Sequence, residues 1–257
     1  MNNIHSTATV SPGAELAGSV TVGPYTVIED DVQIGEGSSI ASSALIASGA
    51  RIGQNVKISH GAVIATEPQD LKFGGEKTLV KIGDRTQIRE YVTINRGTVA
   101  HGETSIGEDC LLMAYSHVAH DCIVGNHVIM ANSVNLAGHI EIGDWAILGG
   151  VLPVHQFVKI GAHAMVGGGF RVQQDICPYA LVGGYPLKVV GINAIGLKRR
   201  GFKPEVIKAI DQTFKILFFS KLNTSQALER IRSEVEITLE VQSILDFISK
   251  SDRGIVK

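Results

Sequence analysis

Residues 115–121 (YSHVAHD) set His117 and His120 three positions apart, with Asp121 directly after the second. An imidazole is the side chain that gains and loses a proton near neutral pH. A carboxylate beside it can hold its tautomer and stabilise the ring once protonated. The group is therefore equipped for general-base chemistry on a hydroxyl or amine. His139 and His155, the latter followed by Gln156, join it for the positional reason given below. His5, His60, His127 and His163 lie in regular surroundings and are expected to be turn or surface residues.

What must position these side chains is a repeat. An aliphatic residue recurs every six positions: Ile4, Val10, Leu16 and onward to Ile64, then Ile82, Ile88 and Ile94, then Ile106 to Val172. No helix or ordinary strand has period six. The residue after the aliphatic is often glycine (Gly23, Gly35, Gly53, Gly83, Gly107, Gly125), which fits a corner needing conformational freedom or room. The fourth residue after it is small or a valine, as at Ala44, Cys110 and Val56. Two inward positions per hexad fill a narrow interior. The pattern is that of left-handed parallel β-helices, in which three hexads make one triangular coil of about 18 residues. Coils stacked at strand spacing give a prism about 40 Å long. Each coil buries its faces only against its neighbours.

Coil arithmetic extends the site. Counting one coil on from His120 reaches Gly138, and two coils on reaches Gln156, with His139 and His155 beside them. One strip therefore collects His120, Gly138, His139, His155 and Gln156, with His120 expected to point outward. A glycine amide one coil away suits an oxyanion. Residues 66–79 and 97–105 break the hexads and are expected to leave the prism as extruded loops, favoured places for function. The fold expected is a mainly-β left-handed β-helix over 1–190, followed by a small α-helical domain over 191–257. In the latter, Pro204 suits a first helical turn, Asn223 and Gln226 suit a capping box, and Val241, Ile244, Leu245 and Ile248 suit a last amphipathic helix. Phe170 falls on an inward position and reads as a plug for the last coils.

Composition bounds the rest. Net charge is −2, so nothing suggests nucleic-acid binding. Residues 1–190 hold 11 basic and 17 acidic side chains, and residues 191–257 hold 12 and 8, a positive tail on a negative body. No apolar run is long enough to span a membrane, and no secretory signal is apparent at the N-terminus. Cys110, Cys122 and Cys177 lack metal-site spacing and read as buried thiols of a reducing compartment, so a cytoplasmic location is expected.

The chain resembles the UDP-N-acetylglucosamine 3-O-acyltransferases. The resemblance rests on HVAHDCIVGN (117–126), LAGH (136–139), VHQF (154–157), QDLK (69–72) and GINAIGLKRRGF (191–202). It implies transfer of a 3-hydroxyacyl chain from acyl carrier protein to the sugar 3-hydroxyl, the first step of lipid A synthesis. It implies His120 as general base, Asp121 as its support and the Gly138 amide as oxyanion donor. Asp70, Lys72, His117, His139 and Gln156 match sugar and diphosphate contacts. His155, Asn193 and Arg199 match nucleotide contacts, and Gly168 matches the position that limits acyl length. The resemblance also implies a homotrimer with its site between subunits. It implies no cofactor or metal of the protein's own, since the acyl group rides on the phosphopantetheine arm of the carrier. Ile195 departs from the family, many members having an acidic residue there, and Pro186 stands where many have histidine. Competing readings are acylation of the 3-amino sugar, the later N-acyltransferase of the pathway, a zinc β-helix of carbonic-anhydrase type ligated by His117, His120 and His139, and a non-catalytic prism.

Overall fold

The computed structural model describes residues 2–257. From Asn3–Ile4 to Met165–Val166 the chain winds in coils of three short strands, and strands one coil apart pair in parallel. The result is a left-handed β-helix with three faces. The first face runs from Asn3–Ile4, the second from Thr9–Val10 to Leu152–Val154, and the third from Glu15–Leu16 to Lys159–Ile160.

The hexad produces this because the recurring aliphatic residue of each strand points inward. Ile28, Ile46, Ile64, Ile88, Leu112, Leu136 and Leu148 are completely buried. Ile4 remains 44% exposed because no coil covers the first one. The other inward position, as at Val20, Val56, Ala62 and Cys110, is buried too. The three cysteines are unpaired and buried, and burial pushes Cys110 up to about 11, so these thiols are inert.

The corners differ from expectation in one respect. The residue with left-handed backbone is the third after the aliphatic, not the glycine that follows it. It is usually not glycine: Tyr25, Asn55, Arg85, Tyr91, Asp121, His139 and His163 all have φ between 54 and 63°. Such a conformation costs a side-chain-bearing residue on the order of 1 kcal/mol. Here most of these turn N–H groups are satisfied by the turn carbonyl of the coil before, as in Asn55 to Glu36, Asp109 to Asp84 and His139 to His120, while those of Tyr25 and Asp121 donate instead to the hydroxyls of Thr7 and Thr104. The glycine after the aliphatic supplies room instead. A Cβ on Gly35 would lie 2.6 Å from the Gly53 carbonyl, and one on Gly107 would lie 2.6 Å from that of Gly125.

Both extruded loops leave where the second face turns into the third. The first departs after Val63–Thr66 and returns at Leu79–Ile82. The second departs after Thr93–Asn95 and re-enters at Glu103–Ile106, earlier than the sequence suggested, because Glu103 and Thr104 already pair with Leu79 and Val80.

The repeat does not give way directly to helix. Ala180–Gly183 adds in parallel to the first face and Lys188–Ile192 adds antiparallel to that. Phe170 is half-buried over Gly167 at this end, as expected of a plug. Four helices follow: α1 (Ala194–Arg199), α2 (Pro204–Phe219), α3 (Thr224–Glu234) and α4 (Leu239–Ser249). Pro204 occupies the first turn of α2, and Asn223 with Gln226 forms the capping box of α3. Phe214, Leu217, Ile231, Ile244 and Leu245 form their shared core. The fully buried Asp175 accepts hydrogen bonds from the Lys159 N–H (2.8 Å) and the Ser251 hydroxyl (2.7 Å), fastening the C-terminal segment to the last coil.

Candidate active site

The strip inferred from coil arithmetic exists. His117 pairs with Asn135, and Asn135 with Pro153, so His120, Gly138 and Gln156 stand one above another at the corner between the second and third faces. The His120 ring lies over Gly138: a Cβ there would come within 2.6 Å of Cε1 and 2.7 Å of Nε2. Glycine at 138 is what lets the imidazole cover the next coil. The Gly138 N–H takes no partner in the backbone ladder of the described residues, whereas the equivalent N–H groups of Gln54, Glu108 and Asn126 bond side chains of the following coil.

His120 is more enclosed than an outward-pointing ring. Its side chain is 13% exposed and its Nδ1 lies 2.8 Å from Asp121 Oδ2. Asp121 is completely buried. Its Oδ1 accepts from the Thr98 N–H (2.9 Å) and the His101 N–H (3.3 Å), and its Oδ2 accepts from the Thr98 hydroxyl (2.7 Å). Its own N–H donates to Thr104 Oγ1 at 2.9 Å. Burial alone would raise this carboxyl, but the bonds from His120 and Thr98 and the nearby His139 together hold it below the usual carboxylate range. An ionised acceptor-only carboxylate requires Nδ1 of His120 to carry the hydrogen, which leaves Nε2 with its lone pair.

His139 crosses His120 edge to face with centroids 5.0 Å apart and stacks flat on Phe157 at 4.5 Å. His117 bonds Thr93 Oγ1 through Nδ1 at 2.7 Å. Burial depresses both imidazoles, helped at His117 by the charge of His120 and opposed at His139 by that of Asp121. Asp70 is close enough to influence His139 electrostatically and accepts the Lys72 N–H within its own loop. Lys72 is exposed. His155 and Gln156 sit two coils from His120, with His155 Nδ1 3.1 Å from the Gln156 carbonyl. A cleft of about 450 Å³ opens beside His139, lined by His101, Phe157, Lys159 and Arg253.

Other predicted residues lie elsewhere on the chain. Asn193 caps α1 through the Gly196 N–H and donates Nδ2 to the His163 carbonyl at 3.0 Å, so it belongs to the corner between the third and first faces. Arg199 is exposed on the same short helix. Gly168 packs on Gly150, where a Cβ would lie 2.7 Å from the carbonyl oxygen. Bulk at 168 therefore has to displace backbone. Ile195 is 68% exposed beside the Asn193 cap.

Thr93, Thr98, His101, Thr104 and Phe157 were not foreseen as parts of the site. The signal for Thr98 and Thr104 lay in Asp121 itself, since a carboxylate turned into a packed corner must find donors. A metal is the other use for such a cluster. Ligand atoms of His120, Asp121 and His139 lie within 4.8 Å of one another. The Asp121 oxygens, however, are already committed to Thr98, His101 and His120, which makes them the support of an imidazole.

A family model described as UDP-N-acetylglucosamine O-acyltransferase domain 2 matches residues 175–256, and the bacterial transferase hexapeptide model matches 31–66 and 103–138. The acyl-[acyl-carrier-protein]–UDP-N-acetylglucosamine O-acyltransferase of Thiobacillus denitrificans is 51% identical over 258 residues, covering all of both chains. Among solved structures, LpxA of Acinetobacter baumannii superposes with a TM-score of 0.95 at 41% identity over 99% of both chains. LpxA of Bacteroides fragilis, a UDP-N-acetylglucosamine acyltransferase, gives 0.97 at 44% identity over 98% of this chain and 99% of that one. With full-length relatives at this identity and the His120–Asp121 corner in place, the chain belongs to the UDP-N-acetylglucosamine O-acyltransferase family.

Proposed function

We propose that the protein transfers a 3-hydroxyacyl chain from acyl carrier protein to the 3-hydroxyl of UDP-N-acetylglucosamine, the opening step of lipid A synthesis, with His120 as general base. The observation that carries this reading is the His120–Asp121 pair, whose Nδ1–H is held by a buried carboxylate while Nε2 lies over Gly138. Nε2 takes the proton of the sugar hydroxyl as its oxygen attacks the thioester carbonyl carbon. The Gly138 N–H stabilises the tetrahedral oxyanion. Collapse breaks the carbon–sulfur bond, and the imidazolium returns its proton to the departing thiolate of the phosphopantetheine arm. Asp70, Lys72, His117, His139 and Gln156 hold the sugar and diphosphate, and His155, Asn193 and Arg199 hold the nucleotide.

These groups do not share one surface of a single chain, which supports a site shared between copies. Asn193 and Arg199 stand on a different corner from His120. The outward residues of the first face change along the prism from polar (Asn3, Thr21, Lys57, Gln87) to apolar (Leu111, Ile129, Ile147, Met165). That apolar strip suits an acyl chain, yet it lies across the prism from the His120 corner. In a homotrimer, the corner of one copy faces the strip of the next. Basic side chains of the helical region suit an acidic carrier protein.

The test is acyl transfer by purified protein to UDP-N-acetylglucosamine from 3-hydroxyacyl carrier proteins, wild type beside His120→Ala. Wild type is expected to form an alkali-labile ester, and His120→Ala to lose roughly 10²–10⁴ in kcat. Near-normal turnover by the variant would remove His120 as base. No product with any donor would remove the reaction.

A further inference from the structure

We propose that Thr98, at the start of the second extruded loop, is a positioning residue that keeps Asp121 a fully hydrogen-bonded carboxylate and thereby keeps His120 in its base-competent tautomer. The inference rests on the reading of His120 as base. Asp121 is completely buried, and no coil residue of its own strip donates to its carboxylate except His120. The other three donors all come from the loop: the Thr98 N–H at 2.9 Å, the Thr98 hydroxyl at 2.7 Å and the His101 N–H at 3.3 Å. Two of the three are main-chain groups that no side-chain substitution deletes. The hydroxyl is the one that does depend on residue type, and it shares Oδ2 with the His120 ring.

That shared oxygen makes the hydroxyl chemically consequential. Without it Oδ2 loses a charge-assisted bond in a place that water does not reach, and the His120–Asp121 pair binds a proton more tightly. A proton retained by the pair, on either partner, costs Nε2 its lone pair or weakens its alignment. The remaining groups facing His120 stay as they are. These are His139 at 5.0 Å, His117 on the strand just before it, and beyond His139 the His101 ring at 5.7 Å and Asp70. Thr98 Oγ1 also accepts the Ala100 N–H at 3.2 Å, so a loss of rate alone would not separate positioning from loop structure. Serine preserves both bonds.

The experiment uses the full-length protein as wild type, Thr98→Val and Thr98→Ser, with kcat and KM followed against pH. In parallel, ring-labelled histidine resonances of the free enzyme are titrated by NMR, with His120 assigned from its absence in His120→Ala. For Thr98→Val we expect kcat lower by about tenfold, the size of one lost bond to a charged group, with KM unchanged. The acid limb of kcat and the His120 titration should both move to higher pH relative to wild type, and Thr98→Ser should match wild type throughout. A Thr98→Val enzyme with the wild-type limb and titration, whatever its rate, overturns the proposal, as does a Thr98→Ser enzyme that behaves like Thr98→Val. If wild type shows no transfer, the reaction assignment fails, while the His120 titration still decides the role of Thr98. Should Thr98→Val not fold, Thr98→Ala removes the same hydroxyl and carries the same expectations.

Discussion

At His120 the chemistry turns on which ring nitrogen bears the hydrogen, and Asp121 decides it. Both carboxylate oxygens already face donors, Oδ1 the amides of Thr98 and His101, Oδ2 the Thr98 hydroxyl and His120. An asparagine at 121 would have to place its NH₂ at one of these two positions. At the Oδ1 position it would oppose two main-chain N–H groups that cannot turn away. At the Oδ2 position the Thr98 hydroxyl can rotate to accept, so the NH₂ settles there and donates to His120 Nδ1. The ring is then driven into the Nε2–H tautomer, which cannot take a proton. Asp121→Asn should therefore lower kcat by roughly 10²–10⁴, the span of the general-base contribution itself, while UDP-N-acetylglucosamine binding measured by calorimetry stays near wild type. A variant within tenfold of wild-type kcat would reduce Asp121 to a packing role.

At the scale of the coil, glycine and the left-handed residue divide the corner between them. The first gives clearance for the next coil, the second gives the turn. Gly107→Ala tests the division: its Cβ would meet the Gly125 carbonyl carbon and oxygen at 2.6 Å, backbone atoms held by the ladder on either side. Destabilisation of about 1–3 kcal/mol, the usual cost of overpacking, is expected. It would be read as a lower urea midpoint with an unchanged slope, and an unchanged midpoint would mean that the corner has slack. This division also marks what was legible beforehand. Period six determined the inward residues, and counting by coils put His120 over Gly138 without any structure, because stacking is fixed by register. The site of the backbone strain was not legible, since tyrosine, aspartate, histidine and serine all serve there and leave no compositional trace. Nor was the return of the loop onto Asp121, because Thr98 and His101 lie outside the repeat and obey no period. The strands 180–183 and 188–192 escaped notice for the same reason. The motif matches Asn193 to a nucleotide contact, while its cap on α1 and its bond to the His163 carbonyl depend on a neighbouring corner that the sequence does not display.

Across the whole molecule, one of the joints between the helical region and the prism is a corner ladder that contains a titratable ring. Trp145 lies between His127 (3.8 Å) and His163 (6.3 Å), and His163 stacks in turn on Tyr179 at 5.6 Å. Two residues from the end of α1 close over this ladder. Arg200 stands 5.1 Å above Trp145 and donates to its carbonyl, and Phe202 meets the His163 ring edge-on at 5.0 Å. His163 Nδ1 is buried without a partner. Burial, and after it the Arg200 charge, push His163 down to about 4. In the unfolded chain an imidazole takes up its proton near about 6.5. Between those values the unfolded state binds more protons than the folded one, so stability falls as pH drops through that window. His117 and His139, both depressed by burial, act in the same direction. Asp121, held below the ordinary carboxylate range, withdraws its contribution only at lower pH. His163→Phe keeps the stacking surface and removes the orphaned nitrogen along with the proton site. It should match wild type or exceed it in Tm at neutral pH, and it should lose less Tm than wild type on acidification from about 6.5 to about 4. Parallel Tm curves for the two proteins would move the acid sensitivity away from this joint and onto the His117–His139 corner.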